Sequence, residues 1–380
     1  MKRRYQILGG VVAFLVVTVS LLALYVSHDG ACRPPPKLAA NALPMKAVVY
    51  RCYGAPNVLK LEDVAKPTLA PDSVLVKVFA ASVNPLDWHY MRGLPYLVRL
   101  GAGIGVPGDV TMGVDFAGTV EAIGKNVKRF KPGDEVFGGK GGAFGEYVSV
   151  REHRALALKP TNMTFEQAAA VPIAAITALQ ALRDKGRIQS GQLVLINGAS
   201  GGVGTFAVQI AKSYGANVTG VCSTRNAQMV SAIGADRVID YTREDFTQGS
   251  QRYDLILDTV GNHSLSELRR VLTATGTVVT VGGPPGGNWI GPMMGPIKAM
   301  LYSPFVSQRF TFLLAELNKD DLVILGQLMQ AGKLTPVIDR TYPLREVPAA
   351  MAYLEDGHAR GKVVIDVMQY SEIGHGMGRS

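Results

Sequence analysis

Gln192-Leu193-Val194-Leu195-Ile196 is followed by Asn197-Gly198-Ala199-Ser200-Gly201-Gly202-Val203-Gly204 and then by the amphipathic run Thr205 to Tyr214. A short apolar run rich in branched residues, a glycine turn and a helical period together predict a strand, a tight turn and a helix. Glycines at 198, 201 and 204 let the backbone turn sharply, approach a diphosphate and pack the helix onto the strand. The helix N-terminus then offers free N–H groups to phosphate oxygens. The expected cofactor-binding loop is therefore Ser200, Gly201, Gly202, Val203 and Gly204.

Working outward, the next strand, Asn217 to Cys222, ends in Ser223-Thr224-Arg225. A carboxylate at that place would accept from a ribose 2′-hydroxyl, whereas two hydroxyls and a guanidinium can donate to a 2′-phosphate. The expectation is NADPH over NADH. Further strands are read at Arg237 to Asp240, Asp254 to Thr259, Thr277 to Val281 and Phe310 to Leu314, each after a helix-like stretch, which completes six. Before Pro160 the pattern is different. Short β-rich runs at Lys46 to Tyr50, Ser73 to Ala81, Gly118 to Ile123, Glu135 to Gly138 and Tyr147 to Val150 alternate with Gly/Pro turns, as in a compact all-β unit.

The formal charge of +9 points at first to nucleic acid, but residues 1–44 hold five of the 39 basic residues and one of the 30 acidic ones. The remainder carries no Lys/Arg run, so no nucleic-acid partner is expected. Ile7 to Val26 is free of charge for 20 residues, the length that spans a bilayer as a helix. A cleaved signal peptide would have a shorter apolar region and a clean small-x-small site, so the expectation is an uncleaved single-pass anchor, followed by the stiff spacer Pro34-Pro35-Pro36. Lys2, Arg3 and Arg4 would send the body across the membrane, and Arg33, Lys37 and Lys46 nearly cancel that bias. Cys32, Cys52 and Cys222 are odd in number and form no Cys-x-x-Cys pair, so neither disulfide framework nor zinc knot is expected. Together with the cofactor reading this places the body in a reducing, cytoplasmic compartment.

Several ordered motifs then resemble the medium-chain dehydrogenase/reductase superfamily, in its zinc-free quinone oxidoreductase, or ζ-crystallin-like, branch. They are Ser82-Val83-Asn84-Pro85-Leu86-Asp87, Gly113-Val114-Asp115-Phe116-Ala117-Gly118, Gly124 to Val127 and Phe130 to Pro132-Gly133-Asp134-Glu135-Val136, with the glycine loop, Ala349 to Tyr353 and His358-Ala359-Arg360-Gly361-Lys362. The resemblance covers Met45 to Val367. It implies an α/β fold made of a GroES-like catalytic domain at 45–160, a Rossmann NADP-binding domain at 161–316, and a return to the first domain at 317–368. An anchor and spacer (1–44, helix 7–26) would precede these and a flexible tail (369–380) would follow.

Zinc-dependent relatives carry Cys and His ligands where this sequence has Asn84 and Val114, and a four-Cys lobe that is missing here, so no metal is expected. Hydride transfer to a small apolar quinone or α,β-unsaturated carbonyl is what remains. Neighbouring alternatives are an enoyl-thioester reductase and a non-catalytic, membrane-anchored NADPH-binding adaptor. By resemblance, Asn84 fixes the nicotinamide ribose, Thr177 lies beside the nicotinamide, and Tyr241 packs against the 2′-phosphate. Asp258, Gly282 and Lys362 complete the expected cofactor-binding set. Asn226 stands where some relatives have a phosphate-binding Lys.

His89 has two readings: a proton donor to the product oxygen, or a histidine packed beside Trp88 and Tyr90 with its nitrogens satisfied. The Met-rich stretch Trp289 to Phe305 is too short and broken to span a bilayer; it suits a core, a pocket wall, a homodimer surface or a membrane-facing patch.

Overall fold

The computed structural model describes residues 2–282, 287–289, 291–303 and 306–369. The chain opens with helix α1 (Lys2–Ser27) and lays down strands β1 (Pro44–Tyr50), β2 (Leu59–Ala65) and β3 (Ser73–Val83). Helices α2 (Pro85–Arg92) and α3 (Arg99–Ala102) precede strands β4 (Asp115–Ile123), β5 (Glu135–Gly139), β6 (Tyr147–Arg151) and β7 (Leu156–Leu158). Helices α4 (Phe165–Ala169) and α5 (Pro172–Gln180) lead into β8 (Leu193–Asn197), α6 (Gly202–Ser213), β9 (Asn217–Cys222), α7 (Ala227–Ala232) and β10 (Arg237–Asp240). Then come β11 (Tyr253–Asp258), α8 (Leu265–Arg270), β12 (Leu272–Thr280), α9 (Gly291–Tyr302), β13 (Arg309–Phe312) and α10 (Lys319–Gln330). The last elements are β14 (Ile338–Pro343), α11 (Val347–Glu355) and β15 (Lys362–Asp366).

Strand β8 reads as an almost uninterrupted buried run because it is covered on both faces, the condition of a central parallel strand. It sits third in a six-stranded sheet of order β10-β9-β8-β11-β12-β13, every pair of it parallel. This is the doubly wound order whose direction of winding reverses between β8 and β11, so a crevice opens outside their carboxyl ends. The apolar face of α6, including Phe206, Val208 and Ile210, closes one core against Ile176 and Leu179 of α5.

The second sheet has order β14-β15-β3-β4-β5-β7, with β6 paired to β3. Strand β3 is its long centre, antiparallel to β4, β6 and β15. β14 and β15 thus bring the chain's last strands beside β3, and β1 and β2 form a separate antiparallel pair. The α/β Rossmann and GroES-like architecture fits; one part of the expected fold does not.

The transmembrane anchor is that part. Among the described residues no helix is long and apolar enough to cross a membrane. Hydropathy reads composition locally, but the C-terminal end of α1 is built into the body by contacts distant in sequence. Val26 is buried, Gly30 N donates to Gly105 O, and the carbonyls of Val26 and His28 accept from Arg99. The membrane partner and the single-pass localisation fall with the anchor.

The cysteine reading is also corrected. Cys32 and Cys52 are joined in a disulfide, with Cα atoms 4.5 Å apart. Arg33 N donates to Arg51 O, which runs the spacer alongside the end of β1 and brings the two thiols together. Only Cys222 is free, buried at the end of β9, where burial raises its thiol pKa to about 11. The compartment argument built on three unpaired thiols therefore lapses. The side chains of Met293, Met300 and Leu301, and the tail from residue 370 with His375, lie outside the described residues.

Candidate active site

The crevice begins at the glycine turn. Gly198 has φ +84°, and a Cβ there would stand 2.4 Å from Thr259 Oγ1; at Gly204 it would stand 2.0 Å from Gly198 O. These two glycines are demanded by the fold itself. At Gly201 and Gly202 a Cβ would meet only ordinary contacts at 3.4 to 3.5 Å, so the protein alone leaves room there. No side chain caps the N-terminus of α6, and the N–H groups of its first turn stay available to an anion. Beside it, Asn226 Nδ2 donates to Ser200 Oγ and Ser223 Oγ, while Asn226 Oδ1 is buried without a partner. A buried amide oxygen in this state is free to accept a hydrogen bond from a donor group of a ligand.

At the end of β9, Thr224 donates its hydroxyl to Asp240, which also accepts from Thr242. These bonds hold the Asp240 carboxyl below its usual range. Arg225 Nη2 donates to His358 O at 3.0 Å, so its guanidinium already bridges to the loop before β15. Tyr241 is exposed beside them. Gly361 N donates to Ser200 O at 2.8 Å, which ties that closing loop to the glycine turn. The structure thus brings Ser200 to Gly204, Ser223, Thr224, Arg225 and Tyr241 to one edge of the parallel sheet.

Asp258 is different. Its Oδ1 accepts from Asn197 Nδ2 and from the N–H groups of Val260 and Gly261, and the side chain is buried. It shapes the turn after β11. Gly282, with φ +83°, follows β12, where an added Cβ would lie 4.0 Å from Thr259 O, and Thr177 spends its hydroxyl on Ile173 O within α5.

The other wall is a buried polar knot. Lys362 Nζ donates to Asn84 Oδ1 and Val83 O and lies 3.7 Å from Asp115 Oδ2. Asp115 accepts from Ser82 Oγ, Asn84 Nδ2 and, at 3.0 Å, from Ile173 N at the start of α5. Asn84 N donates to Asp87 Oδ2. Two carboxyls and one ammonium are thus withdrawn from water, and burial drives Asp87 up to about 7, raises Asp115 and lowers Lys362. The stem of Lys362 passes Gly202, whose added Cβ would lie 3.4 Å from Lys362 Cδ. Lys362 therefore runs from the glycine turn to Asn84. Sequence reading singled out Asn84 and Lys362 but missed Asp87 and Asp115 as their partners. The Asn-x-x-Asp spacing before α2 is a capping pattern that could have signalled Asp87.

His89 lies on α2, half-buried. Its Nδ1 donates to Leu94 O at 2.7 Å and its ring stacks on Trp88 at 3.8 Å between centroids. Burial lowers its pKa, the bond to Leu94 opposing that in part. One ring nitrogen, Nδ1, is thus satisfied by the protein.

Residues 70–160 match the model of the alcohol dehydrogenase GroES-like domain, and residues 233–365 match that of zinc-binding dehydrogenases. The mitochondrial NAD(P)H oxidoreductase RTN4IP1 of Mus musculus is 36% identical over 363 residues, covering 87% of this chain and 91% of the relative. The chain belongs to the medium-chain dehydrogenase/reductase superfamily. Within this superfamily it falls in the quinone oxidoreductase branch. The chloroplastic NADPH-dependent alkenal/one oxidoreductase of Arabidopsis thaliana is 34% identical over 369 residues, covering 92% of this chain and 87% of that one. The quinone oxidoreductase structure from Coxiella burnetii superposes with TM-score 0.75 at 33% identity, over 86% of this chain and all of that one. As a member of this superfamily the chain is an oxidoreductase that uses a nicotinamide cofactor. Among the described residues, no group of three or more His, Cys, Asp or Glu side chains could hold a metal ion.

Proposed function

We propose that the chain is an NADPH-preferring reductase of quinones or α,β-unsaturated carbonyls that works without zinc. The observation that carries this reading is the edge just described: an uncapped helix N-terminus, a partnerless buried Asn226 Oδ1, and Ser223-Thr224-Arg225 in place of an acid after β9. Relatives acting on alkenals and quinones support the acceptor class. Asn84 and Val114, at the positions of zinc ligands in other branches, are no ligands for zinc.

The cofactor, when bound, supplies a hydride to the electrophilic carbon or ring of the acceptor. The first turn of α6 would bind the diphosphate, and Arg225, with Ser223, the 2′-phosphate, the Thr224 hydroxyl being spent on Asp240. Lys362 and Asp115 hold the Asn84 amide from both ends, which leaves Asn84 Oδ1 able to accept from one ribose hydroxyl. His89, with Nδ1–H fixed on Leu94 O, would move a proton at Nε2 to the oxygen that gains charge.

Oxidation of NADPH and NADH by a panel of quinones and enones, on protein of measured metal content, tests this. The expected result is turnover with a KM at least about tenfold lower for NADPH and no stoichiometric zinc. Equal KM values sink the cofactor preference, zinc-dependent turnover sinks the metal-free mechanism, and tight binding without turnover makes the chain an adaptor.

A further inference from the structure

Arg99 is the largest fully buried side chain of the described residues, 2% exposed, yet it carries a charge. It sits in the long connection between β3 and β4 that also carries α2 and His89. Its own connection supplies a single polar partner, Gly93 O, accepting from Nε at 2.9 Å. The rest come from the N-terminal segment: Nη1 donates to His28 O at 2.9 Å and to Val26 O at 3.4 Å, and Nη2 to Asp29 Oδ1 at 2.8 Å. The guanidinium lies 4.5 Å from the ring centroid of Tyr53 and 4.7 Å from that of Tyr96.

Tyr96 in turn meets the segment that follows β12. Its N–H donates to Asn288 O at 2.7 Å, and its ring meets that of Trp289 edge-on with centroids 5.0 Å apart. Asn288 and Trp289 follow β12 of the parallel sheet, so this contact ties that sheet to the β3–β4 connection, which carries His89 and the Leu94 carbonyl that its ring meets. The N-terminal segment is itself tied down at three further points, by Gly30 N to Gly105 O, by Arg33 N to Arg51 O and by the Cys32–Cys52 disulfide.

We propose that Arg99 is a positioning residue for the acceptor side of the crevice, and that the segment Val26–Arg33, locked by Cys32–Cys52, keeps it in place. The physical reason is the desolvated cation. With the segment docked, the guanidinium has a carboxylate, three carbonyls and two aromatic faces. With the segment detached it would lose its only carboxylate and two of its carbonyls, and a buried guanidinium cannot stay where it is under those terms. It would turn to water and carry Tyr96 off Trp289.

Detachment has a chemical trigger. A dithiol attacks one sulfur of Cys32–Cys52 and expels the other as thiolate, which takes up a proton. The second thiol of the reagent then closes a cyclic disulfide and frees the first protein sulfur. Two electrons pass from the dithiol to the protein, and two protein thiols result.

This inference rests on the reductase reading for its kinetic arm only. The test compares the full chain before and after dithiothreitol, with thiol titration to establish reduction. Acceptor KM, cofactor Kd, and Trp289 emission in a Trp88→Phe background, which leaves one of the two tryptophans, are the readouts. The expected result is a rise in acceptor KM of roughly 5- to 20-fold, a cofactor Kd within about twofold, a shift in Trp289 emission, and recovery of the KM and the emission on reoxidation. Arg99→Met in the oxidised protein should reproduce the KM shift, and Cys32→Ser should reproduce it and cease to respond to dithiol. Verified reduction with unchanged KM and emission overturns the proposal, as does an emission shift with unchanged KM. An emission shift in a protein that turns over no acceptor supports the Arg99 relay and sinks the reductase reading instead.

Discussion

On the parallel-sheet wall of the crevice, Gly198 and Gly204 shape their turn because a Cβ would strike atoms a few residues away, Thr259 excepted. On the opposite wall, Asn84 takes its geometry from Asp115 and Lys362, 31 and 278 positions distant, and Arg99 takes its own from residues 70 to 73 positions earlier. The first wall is backbone held by local sterics. The second is charge held by distant partners. A local turn survives the loss of a distant contact, whereas a buried charge does not, and three substitutions exploit that contrast.

Lys362→Met should have the largest effect. It leaves Asp115 and Asp87 buried without their cation, at a cost of about 3–5 kcal/mol in chemical denaturation. Adding Asp115→Asn should recover part of the loss. A single substitution within about 0.5 kcal/mol of the parent would mean that the far wall does not depend on this charge.

Arg225→Gln probes the near wall, where the side chain is exposed and donates to His358 O. The expected outcome is a 10- to 100-fold rise in KM for NADPH, about 1–3 kcal/mol, with KM for NADH within about twofold and unfolding unchanged. Equal loss with both cofactors would place Arg225 among groups that organise the wall rather than read a phosphate.

Asp87→Asn should have the smallest effect and the most specific signature. Its folded-state pKa, raised to about 7, means that the native protein binds a proton between about pH 4 and 7 that the unfolded chain has released. Stability from this group is therefore full below about pH 4, falls as pH rises through that window, and is gone above it. The Asn variant keeps an acceptor for Asn84 N and should flatten the decline, by roughly 1 kcal/mol or more across the window. Melting curves from pH 4 to 8 with the same slope in both proteins would remove Asp87 as its source.

Much of the near wall was legible in the sequence. The strand expected at Gln192–Ile196 is observed at Leu193–Asn197, and the strands at Asn217–Cys222 and Arg237–Asp240 fall where read. Branched residues between glycine turns report burial on both faces directly. β2 was not read, because Leu59–Ala65 mixes Lys60, Glu62 and Asp63 with apolar residues and is only half covered. β12 starts earlier than the Thr277 expected, at Leu272, because it gains Tyr253 of β11 as a parallel partner. At the site, Asn226 could be named from its place after β9, but that its Oδ1 lacks a donor is visible only in three dimensions.

By itself, the sequence determined the succession of strands in the parallel sheet, the glycine turn and the absence of an acid after β9, since each follows from residues within about a dozen positions of one another. The tertiary structure alone decided that Cys32 meets Cys52, that the end of α1 is docked on Arg99, and that Asp87, Asp115 and Lys362 share one buried knot. Charge in low dielectric acts between whatever groups the fold brings close, and hydropathy, which sums residues along the chain, carries no information about which those are.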